Sequence, residues 1–89
     1  MLARLYRVHG RVQGVGFRWY VERLADSLAI SGSVRNLSDG SVEVYALGSE
    51  EQLSELRRQL QQGPRGARVT RVDENPAPVR SERGFRIEY

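Results

Sequence analysis

The segment Gly10-Arg11-Val12-Gln13-Gly14-Val15-Gly16-Phe17-Arg18 holds the residue types that could seat a small anion. Its glycines permit backbone angles that aim successive N–H groups into one concavity. A helix opening at Phe17 adds unpaired N–H donors and about half a positive elementary charge at its start. Arg18 falls in that first turn, where its planar fork can grip two phosphate oxygens at once. Taken alone, a Gly-x-Gly between strand and helix is also a common tight connection, and an arginine early in a helix is commonly solvated. The dinucleotide fingerprint is excluded because its third glycine position holds Trp19. A Walker loop is excluded because the chain has no lysine.

The elements around this segment follow from hydrophobic period. Leu2, Tyr6, Val8 and Val12 share one face, with Arg7, His9 and Arg11 on the other, which predicts a strand over 2–12 with one buried face. Gln13-Gly14-Val15-Gly16 breaks that pattern as a loop. Phe17, Val21, Leu24, Ala25 and Leu28 then make a helical stripe, with Gly32 as its left-handed stop. Two short strands, 33–37 and 41–47, meet at the hairpin turn Ser38-Asp39-Gly40. Ser49 caps a second helix, with Gln52 at the capping-box position. Glu50 and Glu51 sit at its positive end and Arg57 and Arg58 near its negative end. Leu53, Leu56 and Leu60 face inward, and Gly63-Pro64 ends the helix. Residues 67–74 read as a strand whose Val69–Val72 spacing suggests a bulge, and Asn75-Pro76-Ala77-Pro78 is expected to stop it. Phe85, Ile87 and Tyr89 alternate in a last short strand.

The order is β-α-β-β-α-β with a short extra C-terminal strand. Two helices on one face of a mainly antiparallel sheet predict an α+β, ferredoxin-like sandwich, read as a single domain over 1–89. That fold hosts many unrelated functions, so function rests on the site.

Composition narrows the classes. The chain has no cysteine, which removes disulfides, thiol catalysis and Cys-ligated zinc. All 14 basic residues are arginine, which removes Schiff-base chemistry and any Ser–Lys pair. A net charge of +3 suits an anionic partner, either a small phosphorylated molecule or a nucleic acid. The N-terminus carries Arg4, Arg7 and Arg11 and lacks a signal-peptide core, and no run is long and apolar enough for a membrane span, so a cytoplasmic location is expected. The letters Asn36-Leu37-Ser38 match a glycosylation sequon, which has no use without secretion. Asp26, Asp39 and Asp73 are scattered over different elements and suggest no metal cage. His9, the one histidine, is assigned by parity to the polar face.

Gly-Arg-Val-Gln-Gly-Val-Gly-Phe-Arg at 10–18 resembles the phosphate-loop signature of the acylphosphatase family. Gly32, Val34, Asn36, Asp39-Gly40 and Val42-Glu43 resemble that family's second signature. The resemblance spans essentially the whole chain. It departs at Ser33, where many relatives carry an aromatic residue, with packing or substrate fit expected to feel the change. The resemblance implies that Arg18 and the amides of Gln13, Gly14, Val15, Gly16, Phe17 and Arg18 hold the phosphate. It also implies that Asn36 orients the attacking water, against the plainer role of satisfying backbone groups near a turn. The implied activity is hydrolysis of acyl phosphates such as acetyl phosphate, without metal or cofactor, and a monomer is the default expectation. Substrate and inorganic phosphate would be its only partners, with no nucleic acid and no membrane.

The chemistry asks for little more. A carboxylate leaving group has a conjugate acid of pKa roughly 4 and departs unprotonated, so no general acid is required. Phosphoryl transfer needs mainly positioning and charge stabilisation. Three rivals stand beside this reading. An RNA-binding sheet would need exposed aromatics, for which Tyr6 and Tyr45 are the candidates, yet Tyr6 has buried parity. A leading domain of a larger carbamoyl-phosphate-processing protein is less expected because the chain ends at Tyr89. A phosphate sensor would bind through Arg18 without turnover. Trp19 and Tyr20 follow the loop and either shape its mouth or pack.

Overall fold

Alternation and amphipathic stripes leave each strand and helix with one apolar face to bury, and stacking two helices on one sheet buries them all. A computed structural model describes residues 1–89. Its elements are β1 (Leu2–Arg11), α1 (Phe17–Ser27), β2 (Ser31–Asn36), β3 (Val42–Gly48), α2 (Glu50–Gln62), β4 (Arg68–Pro76) and β5 (Phe85–Glu88). The sheet order is β4-β1-β3-β2-β5. Every pairing is antiparallel except β2 with β5, which is parallel. Val21 and Ala25 of α1 and Leu53, Leu56 and Leu60 of α2 close over Tyr6, Val8, Val34, Val44 and Val72 in one core. The α+β, ferredoxin-like expectation holds, extra strand included.

Local rules are met where they were sharpest. The Ser49 hydroxyl accepts from the Gln52 N–H (3.1 Å), and the Gln52 side chain accepts from the Ser49 N–H (2.7 Å). The expected bulge lies where β1 and β4 slip register between His9 and Gly10, with Thr70 left over. Leu37 and Ser41 close the predicted hairpin through a 2.8 Å backbone bond, and the Asp39 carboxylate accepts from the Ser41 N–H (2.9 Å).

Several boundaries differ, each for a physical reason. Gly32 is not the stop of α1; it lies inside β2, where its φ is +143° and a Cβ would fall 1.9 Å from the Tyr45 carbonyl oxygen. The stop is Ala29, at φ +57°. Its N–H donates to Asp26 (3.2 Å) while that of Ile30 donates to Ala25 (2.9 Å), a Schellman pattern built without glycine. β4 does not stop before Asn75-Pro76; both pair with β1, opposite Leu5 and Arg4. The Ala77 N–H donates to the Ala3 carbonyl (3.2 Å), so the Pro76 nitrogen points to the free edge, where a missing donor costs nothing. The last turn of α2 holds no basic residue. Arg57 instead reaches Glu74 of β4 (2.6 Å), and Arg58 pairs with Glu55 (2.6 Å) within the helix. Tyr89 lies past the end of β5.

The far face of the sheet is partly closed as well. Ala3, Tyr45 and Leu47 form a small cluster there with Leu5 and Ala77 against it. The Tyr45 hydroxyl donates to the Pro78 carbonyl (2.7 Å) and accepts from the Arg80 N–H (2.9 Å), while the Arg80 guanidinium lies 3.8 Å from its ring centre. Ser33 is buried on this face opposite Tyr45, so its departure from the family pattern bears on packing there. His9 is half-buried and bonded to Asp73 (3.0 Å), rather than simply solvated.

Candidate active site

The two helix starts solve the same problem in opposite ways. The first turn of a helix leaves several N–H groups without intrahelical partners. In α2 the capping box pairs the Ser49 and Gln52 N–H groups, and Glu50 and Glu51 lie at the positive end. In α1 the cap residue is Gly16, no side chain caps the turn and no acidic residue lies in it. The positive end of α1 is therefore left uncompensated.

The loop before it deepens this effect. Gly14 and Gly16 have φ of +76° and +77°, while the residues between and beside them keep negative φ. Alternation of this kind is the backbone pattern of an anion nest, in which successive N–H groups face one side. The amides of residues 13–16 donate to no backbone carbonyl of the chain. A Cβ at Gly14 or Gly16 would meet nothing within 4 Å, so glycine is required there by conformation and not by crowding.

The nest opens on a cavity of about 220 Å³ lined by Gly14, Gly16, Phe17, Arg18, Trp19 and Asn36, with Val12, Ile87 and Tyr89 completing the wall. Arg18 sits in the second position of α1 and makes no ion pair. Its Nη1 lies 3.4 Å from the Glu88 carbonyl, a long and weak bond that an anion can replace. Asn36 ends β2, and its Oδ1 is a buried side-chain acceptor without a hydrogen-bond partner. Such a group costs about 1–3 kcal/mol of desolvation.

The family model for acylphosphatases matches residues 4–87. The chain belongs to the acylphosphatase family. The acylphosphatase of Koribacter versatilis (strain Ellin345) is 51% identical over 86 residues, covering 96% of this chain and 78% of that one. The acylphosphatase of Pasteurella multocida (strain Pm70) is 46% identical over 90 residues, with both chains covered in full. The crystal structure of acylphosphatase from Bacillus subtilis superimposes with a TM-score of 0.97 at 36% identity, covering 100% of each chain. As a family member the chain is a hydrolase of acyl phosphates.

The loop residues divide the work of this acylphosphatase cavity unevenly. Gly14, Gly16, Phe17 and Arg18 line it, whereas Gln13 and Val15 do not. Val15 packs against the core. The Gln13 side chain donates to the carbonyls of Leu37 (2.8 Å) and Ser41 (3.0 Å), pinning the loop to the β2–β3 hairpin beside Asn36. Sequence reading missed that brace, and it missed Val12, Ile87 and Tyr89 as walls. Ile87 gets there because β5 lies parallel to β2 with Ile87 opposite Val34, a pairing no local pattern announces. Trp19 is 58% exposed at the mouth of the cavity, which decides between the two roles open to it: it shapes the opening.

Proposed function

We propose that this acylphosphatase splits its substrate by in-line attack of a water that Asn36 orients on a phosphate held by Arg18 and the amides of residues 13–18. The observation that carries the reading is a single cavity lined by Gly14, Gly16, Arg18 and Asn36, beside loop amides that donate to no backbone carbonyl. The donors and the Arg18 fork suit the equatorial phosphoryl oxygens. The Asn36 Oδ1 suits a hydrogen bond from the attacking water.

In the step itself the water oxygen forms a bond to phosphorus while the bond from phosphorus to the acyl oxygen breaks. The electron pair of that bond leaves on the carboxylate, which needs no proton at neutral pH. Asn cannot take up a proton, so the water's proton passes to a phosphoryl oxygen of the substrate. The products are a carboxylate and inorganic phosphate. No step is routed through a metal or an organic cofactor.

The remaining features of the reading are a single domain over residues 1–89, acting as a cytoplasmic monomer on small acyl phosphates without nucleic acid or membrane. Burial of the Tyr6 and Tyr45 rings supports this over an RNA-binding sheet, because neither ring is free to stack on a base. No helix is long and apolar enough to cross a membrane. The test is hydrolysis of benzoyl phosphate, followed by ultraviolet absorbance with and without a chelator. Turnover that survives chelation is expected. Phosphate binding without turnover would make the chain a sensor and end the proposal.

A further inference from the structure

A second depression adjoins the catalytic cavity. It is a groove of about 730 Å³ between α1 and the stretch of α2 that runs on to Pro64 and Arg65. Gly16 and Trp19 line both the cavity and the groove. Asn36 lines the cavity only.

The groove has a definite chemistry. Val15, Trp19, Tyr20 and Leu24 give it an apolar lining, to which Arg23 and Arg65 add two cations. The Arg23 guanidinium lies 4.7 Å from the centre of the Trp19 ring. Neither arginine takes part in an ion pair, and no Asp or Glu lines the groove. Two unpaired cations beside an aromatic plane suit a flat apolar body that carries a negative charge at its far end.

We propose that this groove seats the acyl portion of the substrate and favours acyl phosphates whose acyl group is aromatic or apolar and ends in an anionic group. The inference rests on the reading that phosphate sits in the Arg18 cavity with water on the Asn36 side. In-line displacement sends the leaving carboxylate away from the water. The groove shares Gly16 and Trp19 with the cavity and does not share Asn36, which makes it the seat nearest the phosphate for an acyl group directed away from the water. Arg23, Arg65 and Trp19 are then specificity-determining residues for the reaction.

The test compares three substrates of one reaction: acetyl phosphate, 4-methylbenzoyl phosphate and 4-carboxybenzoyl phosphate. The readout is kcat/KM of each variant divided by that of the unaltered chain, so intrinsic substrate reactivity cancels. Each exposed arginine–carboxylate contact is worth up to about 1 kcal/mol, or about fivefold. Arg23→Gln combined with Arg65→Gln is therefore expected to lower the ratio for 4-carboxybenzoyl phosphate about tenfold relative to the other two, with the difference shrinking in high salt. Trp19→Ala is expected to lower both aromatic substrates about fivefold relative to acetyl phosphate. Equal changes across all three substrates, while the unaltered chain hydrolyses each of them, would overturn the groove and leave the catalytic reading intact. Failure of the unaltered chain on all three would remove the catalytic reading and this inference with it.

Discussion

The Arg18 guanidinium lies 4.7 Å from the centre of the Tyr89 ring, although Tyr89 is otherwise fully exposed. The ring and the Glu88 carbonyl hold the arginine at the seam of α1 and β5 without neutralising its charge. A group already positioned loses little freedom when the phosphate arrives.

Arg18→Ala is expected to lower kcat/KM for benzoyl phosphate by about 10²–10³, the usual loss for one preorganised donor at developing charge. Inhibition by inorganic phosphate should weaken in parallel. Arg18→Lys should recover little, because an ammonium lacks the planar fork. Tyr89→Ala should cost only about two- to fivefold, mainly in KM, with Tyr89→Phe restoring it. Wild-type turnover in Arg18→Ala would remove the arginine from the mechanism.

Asn36→Ala separates turnover from anion binding. Steady-state rates should show kcat down by at least tenfold, with the phosphate inhibition constant within about twofold of the starting value. Stability should hold or rise, because the substitution deletes a buried acceptor that pairs with nothing in the chain. A marked fall in melting temperature would mean that the carboxamide is structural.

Gln13→Ala probes the brace between loop and hairpin. Removing the bonds to Leu37 and Ser41 costs about 1 kcal/mol each in stability. Asn36 and the nest then lose their fixed separation, so kcat should fall several-fold while Gln13→Glu, which cannot donate these bonds, behaves alike. An unchanged kcat in both variants would show that the hairpin holds its place without the glutamine.

Ala29→Gly is expected to stabilise the fold. A non-glycine residue in the left-handed region costs about 1–2 kcal/mol, partly offset by the greater freedom of glycine in the unfolded chain. A net gain of about 0.5–1 kcal/mol should raise the melting temperature by several degrees without altering activity. A lower melting temperature would contradict this account of the α1 stop.

Acid should weaken the fold through three surface carboxylates. Hydrogen bonds from Ser41 hold the Asp39 carboxyl below its ordinary range; Arg58 does the same for Glu55 and His9 for Asp73. A carboxyl whose folded pKa is depressed contributes stability above its unfolded value near 4, and that contribution is lost as pH falls through the folded value. Urea midpoints measured from pH 6 to pH 2.5 should therefore decline below about pH 4. Asp39→Asn should shallow that decline; the same slope with and without the substitution would exclude Asp39.

Period, capping and loop composition were legible in the chain because they are local. The alternation of β1, the Leu53-Leu56-Leu60 stripe, the Ser49–Gln52 box and the glycine nest before α1 each depend on neighbours within a few residues. Those rules carried the α+β order, and the two glycine-bearing signatures carried the family. Partnership across the sheet was not legible. The edge position of β4 is what lets Pro76 remain in a strand, and only the parallel seat of β5 beside β2 brings Ile87 and Tyr89 to Arg18. The donors of Gln13 are spent on the hairpin for the same reason. Contacts between residues 70 positions apart are selected by how whole faces pack, and no short window of sequence contains that choice.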